Sequence, residues 1–182
     1  MREKKRLFAV NGRTVVAIVF GAAVFMLLSM YAKLPSPLQG TEFQTAYSIA
    51  AVFGALFGPV AGFLIGFIGH ALYFFFMSGS PWWSWVIASG VAGFLYGIAF
   101  KFVNADVFKV KDAVIFNVIQ VTGNAIAWAL IAPVLDIWIY SEIADLAIKQ
   151  GAITAIMNSI SCVVIGTLLF IIYSAVRRRE LT

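Results

Sequence analysis

Apolar residues fall along this chain in blocks of near-spanning length, separated by short polar or glycine–proline breaks. A helix needs about 20 mostly apolar residues to cross a hydrocarbon core. The pattern predicts spans at about 14–32, 44–57, 60–77, 85–100, 112–133 and 150–176. The second is short: 44–57 rises only about 21 Å, so it is expected to tilt or to begin outside the hydrocarbon. Between the spans, 33–43, 78–84 and 134–149 are expected as outer loops and 101–111 as an inner one. Asp136, Glu142 and Asp145 would then form a solvated outer face.

Gly58-Pro59 sets the topology. Read as a turn, it places Lys101, Lys109, Lys111 and Arg177-Arg178-Arg179 on the same side as the basic start of the chain. Read as a kink, it moves the three-lysine loop outside, against the positive-inside rule. With the turn, only Lys33 and Lys149 of the 13 Lys and Arg residues fall outside. The expected architecture is an all-α integral membrane bundle of six helices forming a single domain over 1–182. Both termini would be cytoplasmic, in a bacterial plasma membrane.

Composition agrees. The 182 residues are 62% hydrophobic and 12% charged, against about 25% charged in soluble domains. The net charge of +5 sits at the ends of apolar runs, so it reads as membrane topology and not as a nucleic-acid surface. The first apolar run is too long for the core of a secretory signal, so none is expected. Cys162 stands alone, which excludes an internal disulfide or thiolate metal cluster and leaves it a small buried hydrophobe. There is no zinc-binding His pair, no nucleophile elbow and no phosphate-binding loop. The chain is not expected to be an enzyme or to hold a cofactor or metal. Any driving energy must come from an ion gradient or a partner.

Polar residues inside the spans lie in rows. Asn117, Gln120 and Asn124 share one face of the fifth helix, with Trp128 continuing it, and Thr154, Asn158 and Ser161 repeat the spacing on the sixth. Unpaired amides in hydrocarbon are costly, so the rows either line a ligand pocket or bond to each other between helices. His70, the only histidine, lies about 15 Å along the third helix, placed to pack by a hydrogen bond or to touch a ligand. Trp82, Trp83 and Trp85 fit interface anchors or a lid stacking over a flat ligand. Gln39, Glu42 and Gln44 could close that lid from the other side, or be solvated. An interior of amides and aromatics without buried charge favours a neutral, flat, heteroaromatic moiety over an anion. Ala17 and Gly21 form a small-xxx-small pair on the first helix, either a docking face or an internal contact.

Residues 58–66 (GPVAGFLIG), 69–72 (GHAL) and 80–88 (SPWWSWVIA) resemble the S components of energy-coupling factor (ECF) vitamin transporters, in the riboflavin-transporter-like branch. Relatives commonly carry Ser-Asp where this chain has Tyr73-Phe74. The resemblance implies a substrate-binding membrane subunit with an outward-facing pocket for a vitamin or vitamin precursor. Candidate ligands are cobalamin, a thiamine-type pyrimidine precursor, a pyridoxine-like compound or riboflavin. It also implies a partner module of one membrane coupling subunit plus two ATPases, and release of ligand by toppling in the bilayer. Ala17 and Gly21 would dock on that module, and the loops at 33–43 and 78–84 would gate. A self-sufficient homo-oligomeric carrier or channel is the alternative.

Overall fold

The computed structural model describes residues 7, 8 and 10–180. Arg2, Lys4, Lys5 and Arg6, expected on the cytoplasmic side, lie outside the described residues. Helix α1 (Gly12–Tyr31) begins where the Asn11 side chain accepts from the Thr14 N–H at 3.0 Å, a cap for one of the first-turn donors. It leads into a hairpin of β1 (Lys33–Pro35) and β2 (Glu42–Gln44), antiparallel, with Lys33 opposite Gln44 and Pro35 opposite Glu42. The stretch expected as a loop is therefore paired backbone. Gln44 ends this hairpin and does not open the next helix.

Helix α2 (Ala46–Phe57) stops at Gly58, whose φ of +96° suits a residue without Cβ, and Pro59 opens α3 (Pro59–Ser78) at its first turn. The break is a turn. Next come α4 (Trp83–Gly97) and its short continuation α5 (Ala99–Phe102). Two long rods follow, each interrupted by π-helical turns. In the first, α6 (Val110–Asn124), the π stretch Ala125–Ile131 and α7 (Ala132–Tyr140) run together. In the second, α8 (Ala144–Ser161), the π stretch Cys162–Gly166 and α9 (Thr167–Glu180) do the same.

Five helices are long and apolar enough to cross a membrane, and α2 is apolar but only 12 residues long. The chain is an all-α, multi-pass membrane bundle. The expected outer loop over 134–149 is largely helix, since only Ser141–Ile143 separates α7 from α8. Pro133 suggested a helix end. The π turn just before it has already displaced the regular hydrogen-bond ladder, so a residue lacking an N–H is accommodated there.

Helices α3 and α4 pack backbone to backbone. A Cβ on Gly62 would run into the Gly93 carbonyl oxygen, and one on Gly66 into that of Ser89. Glycine spacing on both helices makes this approach available, as in other membrane helix pairs. Phe25, Tyr47, Tyr96, Phe116, Trp128 and Phe170 fill the centre of the bundle, while Val15, Val16, Val19 and Phe20 of α1 face outward.

The two ends of the bundle differ. At one end, Arg177 approaches Asp106 at 3.7 Å, the Phe108 N–H donates to Ser174, and Asn11 caps α1. The basic residues from Arg13 to Arg179, apart from Lys33 and Lys149, belong to the segments that meet there. The hairpin, the start of α4, the end of α7 and the start of α8 meet at the other end, where Gln150 donates to the Gln39 carbonyl oxygen at 3.0 Å.

Candidate ligand-binding site

Two adjoining cavities open at the hairpin end. The larger, about 460 Å³, is lined by Gln39, Phe74, Trp82, Trp85, Asp136 and Glu142, among others. The smaller, about 220 Å³, lies deeper and is lined by Glu42, Gln44, Tyr47, His70, Tyr73, Trp128 and Thr154, among others. Gly40, Phe74 and Trp85 border both. Each volume is within or just under the range of small-molecule pockets.

Helix α7 contributes Asp136, 3% exposed, and α4 contributes its partners. The Trp82 and Trp85 indole N–H groups donate to opposite carboxylate oxygens, each at 2.8 Å, and the Ser84 hydroxyl shares the first oxygen. Trp82 also stacks on Tyr140 with ring centres 4.1 Å apart. This overturns the solvated outer face expected for Asp136, and with it the interior free of buried charge. The continuous α7 helix turns Asp136 toward α4, where a loop would have left it in water.

The hairpin is tied down over the deeper cavity. Lys33 Nζ pairs with Glu42 at 2.7 Å and donates to the Tyr73 hydroxyl at 2.9 Å, while Gln44 Nε2 donates to Glu42 at 2.9 Å. Partial burial alone would lower the Lys33 pKa, but its bonds to Glu42 and Tyr73 outweigh that and raise it. Tyr73 thus places a hydroxyl between the hairpin and the deeper cavity. Below it, His70 Nδ1 lies 2.5 Å from the Ser89 hydroxyl, which Tyr47 meets at 2.8 Å, and the His70 ring stacks on Phe74 at 4.7 Å.

Of the residues singled out in the sequence, Gln39, Glu42, Gln44, His70, Trp82, Trp85 and Trp128 border the cavities. Trp83 does not: it is 46% exposed, and its backbone N–H donates to the Tyr140 hydroxyl. Asn124 is buried, accepting from Tyr96 at 2.6 Å and donating to the Gln120 carbonyl oxygen. Asn117 accepts from Thr167 at 2.9 Å. Gln120 and Asn158 are fully buried, their amide atoms without partners among the described residues. Ala17 lines a separate apolar groove on the flank, and Gly21 is buried against Ile65 and Phe53.

Asp136, Glu142, Tyr47, Tyr73 and Phe74 border the cavities without having been singled out as ligand contacts. A lone aspartate inside Val-Leu-Asp-Ile-Trp-Ile was the available signal, since a carboxylate in an apolar helix marks a site or a built partner.

The family model described as "ECF-type riboflavin transporter, S component" matches residues 9–175. The chain belongs to this family. It is 44% identical over 182 residues to a UPF0397 protein of Lacticaseibacillus casei, covering 99% of this chain and 96% of that one. A UPF0397 protein of Clostridium perfringens is 47% identical over 167 residues, covering 91% and 90%. A UPF0397 protein of Lactobacillus acidophilus, LBA0922, is 38% identical over 170 residues, covering 92% of each. No solved structure matches. As a transporter S component the chain is a transport subunit and not an enzyme, and its family implies an ECF module as partner and a small vitamin-type ligand.

Proposed function

We propose that this S component captures a vitamin or vitamin precursor in the two joined cavities, from the outer face of the bacterial plasma membrane. The observation that carries the reading is a latched hairpin above an aromatic chamber, at the end of the bundle opposite the basic residues. Basic segments stay cytoplasmic, so the chamber faces outward, both termini face inward, and α2 is the sixth crossing. Gln39, Glu42, Gln44, His70, Trp82, Trp85 and Trp128 contact the ligand in this reading. Thr154, Asn158, Ser161 and Gln120 form a polar column leading inward, with unpartnered buried atoms that a deeply seated ligand or ordered water would satisfy. Asn117 and Asn124 support that column through Thr167 and Tyr96, and Trp83 anchors the rim.

The chamber suits one pyrimidine or pyridine ring, or a fused system such as that of riboflavin, better than the bulk of cobalamin. A module of one coupling subunit and two ATPases supplies the energy, and ligand is released when the subunit topples. The docking side is α1, through its outward residues Val15, Val16, Val19 and Phe20, while Ala17 and Gly21, first expected to dock, are buried on the inner side of that helix. The test is capture: full-length protein purified from membranes is denatured, and the released small molecules are identified by mass spectrometry. A stoichiometric heteroaromatic compound, lost in a Trp85→Ala variant that still folds, supports the reading. Absence of any stoichiometric ligand from protein prepared with or without the coupling module overturns it.

A further inference from the structure

We infer that the moiety held in these cavities is a planar heteroaromatic cation, and that anionic forms of such a ring are refused. The inference rests on the cavities being the ligand site. Among the described residues their walls hold three carboxylates, Glu42, Asp136 and Glu142, and no lysine or arginine. Glu42 has its counter-ion in Lys33 at 2.7 Å. Asp136 has none among the described residues, because both of its oxygens are met only by neutral donors, two indole N–H groups and a hydroxyl. Donors on both oxygens are what an ionised carboxylate collects, and a buried carboxylate is ordinarily balanced by a cation.

A second observation, in the deeper cavity, points to a bound ligand. Three of its lining side chains carry buried polar atoms with no partner among the described residues: Gln44 Oε1, Trp128 Nε1 and Thr154 Oγ1. Gln44 has spent its amide N–H on Glu42, so it offers the ligand an acceptor. The indole of Trp128 is the single obligate donor of the three. These three atoms mark the deeper cavity as a place where a ligand is expected to complete the hydrogen bonding, with the Gln44 oxygen ready to take an N–H of the ligand; the sign of its charge is set by the carboxylates. Phe74 and Trp85, which border both cavities, and Trp82 supply π faces that attract a cation. A phosphate or carboxylate would find neither guanidinium nor ammonium on the walls, and would meet like charge.

The test uses the full chain in lipid nanodiscs with three rings of similar size, 1-methylnicotinamide (cation), nicotinamide (neutral) and nicotinate (anion), and with riboflavin. Binding is followed by quenching of tryptophan fluorescence and by calorimetry. The cation should bind about tenfold more tightly than the neutral ring, the increment of one modest charge interaction, with no binding of nicotinate. Glu142→Gln, which leaves the buried Asp136 cluster intact, should shrink that preference several-fold. Nicotinamide, nicotinate or riboflavin binding as tightly as the cation or more tightly, or a preference unmoved by Glu142→Gln, overturns the charge assignment and leaves the capture reading standing. Failure of all four to bind overturns the charge assignment, and protein that also yields no stoichiometric ligand from membranes overturns the capture reading with it.

Discussion

Replacing Asp136 by asparagine keeps size and shape and removes one acceptor. In the native cluster one carboxylate oxygen accepts from Trp82 and Ser84 and the other from Trp85. An amide offers a single oxygen. If that oxygen faces Trp82, the new NH₂ opposes the Trp85 N–H; if it faces Trp85, the NH₂ opposes Trp82. Ser84 can rotate its hydroxyl to accept, but an indole N–H cannot. One part-buried indole donor therefore loses its partner in either orientation, at a cost of about 1–2 kcal/mol. For a chain of this size each kcal/mol lowers the Tm by roughly 2–4 °C, so Asp136→Asn should melt several degrees early. Asp145→Asn is the control: its pair with Lys149 is surface-exposed and worth about 0–1 kcal/mol. Unfolding is followed by tryptophan fluorescence in detergent and in nanodiscs, with Trp85→Phe and the Asp136→Asn, Trp85→Phe double variant completing a cycle. Equal melting of Asp136→Asn and the parent, or strict additivity in the cycle, would refute the claim that this carboxylate ties α7 to α4.

Gly62→Ala should destabilise by about 1–3 kcal/mol, the cost of an overpacked contact, because its Cβ meets the Gly93 carbonyl, whereas a Cβ at Gly12 meets nothing within 4 Å; thermal melts of Gly62→Ala and Gly12→Ala separate the two. Tyr73→Phe removes the hydroxyl that holds Lys33 and Glu42 and should speed amide hydrogen exchange in the hairpin and ligand dissociation by a few-fold, about 1 kcal/mol for a modest hydrogen bond. The Lys33 pKa is raised above 10.5. Its stabilising contribution is therefore complete below that value and is lost as pH rises through the folded pKa, so hairpin exchange corrected for intrinsic rates should be flat from neutral pH to about 9 and rise only beyond. Trp128→Phe keeps most of the packing but removes the unpartnered indole N–H. It should weaken binding of the captured compound about three- to tenfold, measured by calorimetry on the released ligand, and lower the Tm by a few degrees because the smaller ring leaves a gap at the centre of the bundle.

The bundle was legible because spans and glycine seams are local patterns. Glycines at 62, 66 and 93 then proved to be where α3 meets α4, a use of small residues that the general packing rule allows but that the chain order alone does not assign. The turn at Gly58-Pro59 followed from where the lysines fall. The site was less legible, because its bonds cross long stretches of chain. Trp82 and Asp136 are separated by 54 positions, and nothing in either neighbourhood names the other. The π stretch before Pro133 misled for a different reason: a proline inside an apolar run ordinarily ends a helix, and hydrophobic periodicity does not announce a change of winding. The stretch 33–43 was legible as a connection between helices, but its folding into a hairpin that takes in Gln44, with Lys33 opposite Gln44 and Pro35 opposite Glu42, is tied to Tyr73 and Gln150 from elsewhere.

The glycine contact between α3 and α4 has a consequence for re-engineering. His70 and Ser89 stand on two backbones that touch, so the wall they form has no slack with which to accommodate a differently shaped guest. Leu146, Gln150 and Thr154 line the opposite wall from α8, which is itself pinned at Gly151, where a Cβ would run into the Trp128 carbonyl oxygen. Libraries aimed at a new nutrient should therefore vary the side chains that line the walls and keep the glycines at 62, 66, 93 and 151, where the backbones meet.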